Sequence, residues 1–188
     1  MEPVTLAAIG GTVLAEGVKF LYAQAGDLIR YWRERRDAKG GETVPEPSAS
    51  PPDGLLQGRL EPLTVDHEAL DRVQEQIRDL HRDLLDYVEG TTPITADDQG
   101  LLLRTDSLRG LLEAVYQQRL TFRGEQREAA GPLIHGRIDV DQVAGYAAAV
   151  RIQLLRLASG TVQGEARIGR VEEGGEGVGL DIGTVEGA

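Results

Sequence analysis

Three histidines and many carboxylates are candidates for chemistry in this chain of 188 residues, which contains no cysteine. Thiol nucleophiles, thiolate metal sites and disulfides are therefore excluded. The three histidines are His67, His81 and His135. The first two lie about four turns apart on one predicted helix, so they cannot share a metal ion. We interpret each histidine as a solvated or edge residue.

The carboxylates do not form a recognisable catalytic pair. They alternate with arginine along the predicted helices, which is typical of solvated faces. The sequence also lacks the glycine loops that bind nucleotides, the nucleophile elbow and the zinc-protease motif. Its net charge of -11 disfavours nucleic-acid binding. We therefore predict a protein that is not an enzyme, needs no cofactor or metal and binds no nucleic acid.

An apolar segment near the N terminus predicts a helix over residues 3–32. Only Glu16 and Lys19 interrupt its apolar run, and an aromatic and arginine border follows, as at a membrane interface. Small residues within the run allow close helix contact. The alternative is a buried central helix of a soluble bundle, and the two agree if the helix is sheltered at rest and released later. The predicted membrane contacts are Leu6, Ile9, Val13, Leu14, Val18, Phe20, Leu21 and Trp32.

Proline, glycine and serine predict a linker over residues 37–63. Apolar residues then recur in steps of three and four, which is typical of amphipathic helices. This spacing predicts helices over 65–89 and 95–122, and a last helix that opens at Asp139 or Asp141 and ends near Leu157. Together they would form a helical bundle over residues 64–159.

The tail, residues 160–188, is rich in glycine, and its apolar and polar residues alternate as in strands. Residues 168–172 (Ile-Gly-Arg-Val-Glu) return fourteen positions later as residues 182–186 (Ile-Gly-Thr-Val-Glu). Two matched strands can stack on copies from other chains as a cross-β layer, although the acidic residues of the tail disfavour spontaneous stacking. The predicted assembly residues are Val162, Gln163, Gly164, Ile168, Gly169, Val171, Leu180, Ile182, Gly183 and Val185.

These predictions combine into an all-α fold, a small helical bundle with an apolar N-terminal helix and a strand-prone tail. The predicted segments are the N-terminal helix with its border (1–36), the linker (37–63), the bundle (64–159) and the tail (160–188).

The order of these parts resembles the bacterial Bell-domain proteins, which are analogous to the fungal HeLo and HeLo-like cell-death domains. The opening Glu2-Pro3-Val4-Thr5-Leu6-Ala7-Ala8 is similar to the start of such domains. The tail is similar to a bacterial amyloid signalling motif in Val162-Gln163-Gly164 and in its paired Ile-Gly-x-Val-Glu elements.

The resemblance implies a membrane-targeting effector of regulated cell death or antiviral defence, which forms pores or disrupts membranes. Its implied partners are membrane lipids, further copies of the chain and an NLR-type receptor with a matching motif. It would be cytoplasmic and move to the inner face of the plasma membrane on activation. The alternative is a helical adaptor, not an enzyme, whose tail docks a partner by strand addition.

Overall fold

A computed structural model describes residues 5–38, 44–48, 50–143, 146–157, 161–172 and 176–187 of the chain. It divides the chain into two compact units between Gly131 and Pro132. We call residues 1–131 the helical unit and residues 132–188 the strand unit. The opening Glu2-Pro3-Val4 that contributes to the resemblance lies outside the described residues.

The helical unit begins with a 3-10 helix, Thr5–Ala8, and continues with four α-helices and one short strand. The elements are α1 (Gly11–Asp37), α2 (His67–Asp83), α3 (Leu85–Val88), α4 (Gln99–Tyr116) and β1 (Gln118–Arg119). The predicted helices over 3–32, 65–89 and 95–122 are confirmed in part. The first two are each divided into two helical elements, and the third ends at Tyr116, before β1.

Carboxylate caps explain where α2 and α4 begin. The Asp66 side chain accepts a hydrogen bond from the Ala69 backbone N–H, and Asp98 accepts one from Leu101, both at 2.9 Å. Each cap satisfies a backbone donor that has no partner within the helix. Helix α4 ends at Gln117, whose φ of 52° is left-handed and stops the helical path.

The core of the helical unit is aliphatic, and α1, α2 and α4 pack around it. Phe122 is fully buried and lies against Gly17 of α1, where a Cβ atom would come within 2.9 Å of its ring. The predicted linker also contributes, because Leu55 is buried and Leu56 forms a bridge with Phe122. The largest fully buried side chains are Phe122, Leu6, Leu14, Leu21, Leu28, Leu55, Leu70, Ile77, Leu84, Leu101, Leu108 and Leu112.

The prediction of an all-α fold is wrong, because the chain mixes helices and sheets. Four strands follow the helices: β2 (Gly131–Val143), β3 (Tyr146–Leu157), β4 (Thr161–Val171) and β5 (Glu176–Gly187). The helix predicted from Asp139 or Asp141 to Leu157 is therefore replaced by the end of β2 and by β3. The apolar residues there fit both periods, since Val150, Ile152 and Leu154 also alternate in steps of two.

The strands pair over long distances in the sequence. β2 pairs in parallel with β4, where Leu133 is opposite Thr161, an offset of 28 residues. β3 pairs in parallel with β5, where Tyr146 is opposite Glu176, an offset of 30 residues. We call β2 with β3 the first rung and β4 with β5 the second rung. The strand unit is therefore a stack of two similar rungs.

Candidate functional site: the strand stack and the buried N-terminal helix

The residues predicted to contact a membrane lie in or against the core of the helical unit. Six of them are buried, and Val13 and Trp32 are partly buried against the same core. In this structure the apolar face of α1 is therefore covered by protein. Among the described residues, no helix is both long enough and apolar enough to cross a membrane. Membrane contact stays a prediction.

The aromatic and arginine border of α1 is tied to α2. The indole N–H of Trp32 donates to Asp71 Oδ1 at 3.0 Å, and Arg35 Nη2 contacts both carboxylate oxygens of Asp71 at 2.6 and 2.8 Å. The guanidinium groups of Arg36 and Arg78 lie over the Trp32 ring, 4.7 and 5.7 Å from its centroid. These contacts hold the C-terminal part of α1 against α2.

A buried carboxylate, Glu125, holds the start of the chain. Its Oε1 atom accepts hydrogen bonds from Thr5 Oγ1 and Arg109 Nη1, each at 2.6 Å. Its Oε2 atom accepts the Phe122 backbone N–H at 2.7 Å. The Glu125 and Arg109 side chains are 0% and 3% exposed, and Arg109 also pairs with Asp106. Because the acceptor side chain is fully buried, losing these bonds would leave buried charge unpaired.

A second carboxylate fixes the segment that follows α4 and contains Glu125. Glu113 on α4 accepts the Leu120 backbone N–H at 2.8 Å and pairs with Arg127 at 3.2 and 3.3 Å. We call residues 118–130 the collar. The collar contacts the 3-10 helix through Glu125 and α1 through Phe122, and its sequence leads directly into β2.

Polar contacts also lie within the core. Burial raises the pKa of the Tyr116 hydroxyl above its ordinary value of 10.0, so the group stays protonated. It donates to Gln24 Oε1 of α1 at 3.1 Å. This bond adds a polar link between α4 and α1 in the bundle.

The two histidines whose side chains the structure describes have different surroundings. The His81 ring stacks on Tyr22 with centroids 3.9 Å apart, while His67 lies at the surface beside Arg35. The side chain of His135 lies outside what the structure describes. In the part of the chain that is described, no group of three or more histidines and carboxylates could hold a metal ion.

The strand register brings opposite formal charges together. Among the described register pairs, four join an acidic with a basic residue and none joins like charges. The four are Arg137 with Glu165, Asp139 with Arg167, Arg151 with Asp181, and Arg156 with Glu186. Opposite charges on neighbouring strands stabilise a sheet, whereas like charges destabilise it. The net negative charge of the second rung is thus partly offset by the first.

The predicted assembly residues all lie on β4 and β5, but the fourteen-residue repeat does not form a pair. Ile168 is opposite Val140, and Ile182 is opposite Ile152, in two different sheets. Gly169 permits close stacking, since a Cβ there would lie 2.7 Å from the Asp141 carbonyl oxygen. The strands that pair, β2 with β4 and β3 with β5, are instead offset by 28 and 30 residues.

Two features of the structure were not predicted from the sequence. The hydrogen bonds of Glu125 leave no local pattern in the sequence, because its side-chain partners lie 16 and 120 residues away. The rung repeat did leave a signal, since Ile134-His135-Gly136 is followed 28 positions later by Val162-Gln163-Gly164. A search for repeats at that distance could have found it.

Unpaired strand edges are the remaining feature of the stack. Among the strands that the structure describes, β3, β4 and β5 each pair on one side only. Such an edge carries backbone N–H and C=O groups that can pair with another chain. The second rung therefore presents a two-strand edge with a defined order of charges.

Comparison of the chain with protein-family models, with curated proteins and with solved structures found no match.

Proposed function

We propose that the chain is a non-catalytic effector, switched on when its strand unit stacks with further copies or with a matching segment of a receptor. The helical unit would carry the effect, through α1 acting on a membrane. The observation that carries the proposal is the parallel two-rung stack with its unpaired edge. Templated assembly needs such a repeatable unit.

The order of charged residues along the strands favours stacking of whole copies of the chain. If the first rung of one copy is placed on the second rung of another, the four opposite-charge pairs found within the chain recur between chains. Each layer then repeats the register of the one below, except where the outer side of β2 is already paired with the two residues of β1. Placing two second rungs together would instead bring Glu165 next to its own copy. Growth by this route has one direction, head to tail.

The collar supports a link between assembly and α1. It connects the sequence of the strand unit to residues that hold the 3-10 helix and α1, namely Glu125 and Phe122. Strain on this segment would act on buried contacts of the N-terminal helix. The basic and aromatic border at Trp32 would then meet the bilayer interface.

A helical adaptor is the second candidate, and the burial of the apolar face of α1 favours it. In that case the helical unit stays folded while the strand edge docks a partner by strand addition. Both candidates use the same edge. They differ in whether α1 leaves the core.

Assembly is tested with a pair of charge reversals in the full chain. Glu165→Arg places like charges at its register with Arg137, within and between copies. At about 1 kcal/mol per interface, the critical concentration for assembly should rise roughly fivefold. Adding Arg137→Glu restores opposite charges and should restore assembly, as measured by sedimentation of seeded samples. If the double variant assembles no better than Glu165→Arg, the proposed stack is wrong.

The membrane role needs a variant that spares the core. A charge at Leu14 would unfold the bundle, because Leu14 is 1% exposed. Ala23 is an exposed residue of α1, so Ala23→Glu should fold normally. If α1 enters the bilayer, the new charge costs about 2–3 kcal/mol and liposome leakage should fall. Ala114 is an exposed residue of α4, so Ala114→Glu is the matched control. Equal leakage of both variants and the wild type would favour the adaptor.

A further inference from the structure

A groove of about 490 Å³ lies between α1 and α2 in the helical unit. Basic side chains dominate its walls, and Gly26 and Ile29 add an uncharged, partly apolar side. The charged and aromatic-ring groups that line it are Arg30, Arg33, Glu34, Arg78 and His81.

The charges of the groove are only partly neutralised by the protein. Arg30 pairs with Asp27. Among the described residues, no carboxylate lies within 4.0 Å of the guanidinium nitrogens of Arg33 or Arg78. Glu34 is the acidic residue of the lining. The groove therefore has a positive balance in a chain whose net charge is -11.

Arg78 is held in position but keeps donors free. Its Nη2 donates to Gln74 Oε1 at 2.8 Å, and its guanidinium group lies 5.7 Å from the centre of the Trp32 ring. Its Nε atom is buried without a hydrogen-bond partner among the described residues. A planar guanidinium fork with unused N–H groups matches the oxygens of a phosphate.

His81 and Gly26 shape the other wall. The imidazole is stacked on Tyr22, at an angle of 16° between the rings. A Cβ atom at Gly26 would lie 3.3 Å from His81 Nε2, so the absence of a side chain keeps the groove open there. Burial lowers the pKa of His81, which leaves a neutral ring with one N–H to donate at neutral pH.

We propose that this groove binds a phosphate group carried on an organic ligand, with Arg33, Arg78 and His81 as hydrogen-bond donors. The volume exceeds that of phosphate alone, and Ile29 offers an apolar contact for the rest of the ligand. An anionic phospholipid headgroup and a soluble phosphate ester share this chemistry. The site lies wholly within the helical unit, and it exists only while α1 stays packed against α2.

Trp32 provides the binding signal. It is the single tryptophan of the chain and lies beside Arg78, so ligands in the groove should change its fluorescence. The full chain is titrated with glycerol phosphate, with inorganic pyrophosphate, and with vesicles of phosphatidylcholine with or without phosphatidylglycerol. Saturable changes that are stronger with glycerol phosphate than with pyrophosphate indicate a soluble phosphate ester, and changes with pyrophosphate alone contradict an organic ligand. Changes only with the phosphatidylglycerol vesicles indicate a headgroup.

Variants test whether the groove is the site. Arg33→Gln combined with Arg78→Gln should weaken binding at least about tenfold, since each change removes a charge-assisted hydrogen bond. Arg33→Gln alone changes an exposed residue, keeps the fold and should weaken binding in the same direction. Arg82→Gln, four residues beyond Arg78 on α2 and already paired with Asp79, is the matched control and should bind as the wild type does. Either of two further results also overturns the proposal: no saturable signal with any probe, or unchanged affinity in Arg33→Gln.

Discussion

Glu125→Ala tests whether the buried carboxylate holds the N-terminal segment in the bundle. The substitution removes the acceptor for Thr5, Arg109 and the Phe122 backbone N–H. It leaves the Arg109 guanidinium buried with Asp106 as its remaining acidic partner. We expect the helical unit to lose stability.

The size of the loss follows from burial. Removing one partner of a buried ion pair costs about 3–5 kcal/mol, because the other charge stays out of water. Asp106 retains part of the compensation for Arg109, which places the expected loss near the lower end. The orphaned N–H of Phe122 adds about 1–3 kcal/mol if water cannot reach it. The total of about 3–6 kcal/mol is a large part of the stability of an ordinary domain.

Urea unfolding followed by Trp32 fluorescence measures this loss. Trp32 is the only tryptophan and lies on α1, so its emission reports the helical unit. Arg109→Ala and the double variant complete a thermodynamic cycle. The double variant should be more stable than the sum of the single losses predicts, because no buried charge is left unpaired.

The exposed pair of Arg82 and Asp79 supplies the control, since breaking it should cost less than about 1 kcal/mol. A loss below about 1 kcal/mol for Glu125→Ala would refute the reasoning. So would additive losses in the cycle, because Glu125 and Arg109 would then act independently.

Three further predictions concern the helical unit. Gly17→Ala should destabilise it by about 1–3 kcal/mol by crowding Phe122, whereas Gly110→Ala, with open space, should stabilise it by about 0.5–1 kcal/mol in the same urea assay. Burial lowers the pKa of His81, so the neutral ring contributes to the stability of the helical unit above about pH 6.5, and this contribution is lost as the pH falls towards the lowered pKa. His81→Gln should therefore reduce the drop in the urea midpoint on acidification. A chain ending at Gly131 should melt cooperatively by circular dichroism, and a broad melt would contradict the division into units.

The helices could be predicted from sequence because their signals are local. Asp66 and Asp98 cap the helices that follow them, and apolar residues in each helix recur in steps of three and four. The packing of the helical unit therefore follows from the spacing of its apolar residues. Its hydrogen-bonding hub does not, because the partners of Glu125 come together only when the chain folds.

The strands after Gly131 could not be predicted in the same way. The stretch from Val143 to Leu157 places apolar residues at intervals that suit a helix as well as a strand. Pairing with a second rung some 28 to 30 residues later decides between them, and local periodicity carries no information on that pairing. The shorter repeat of Ile168 and Ile182 has a period of fourteen residues, which is not the offset between the strands that pair.

The burial of α1 limits how the proposed effector can act. Leu6, Ile9, Leu14, Val18, Phe20 and Leu21 are buried, and each contributes about 1.5–3 kcal/mol by leaving water. Exposing all six to water would cost roughly 9–18 kcal/mol, as much as the whole stability of an ordinary domain. Assembly of the strand unit through a few charge pairs of about 1 kcal/mol each cannot supply that in water. A bilayer can, because it offers the same side chains a second apolar environment. Under the proposed effector role, release of α1 would therefore require a lipid surface, whereas an adaptor role would require only the strand edge.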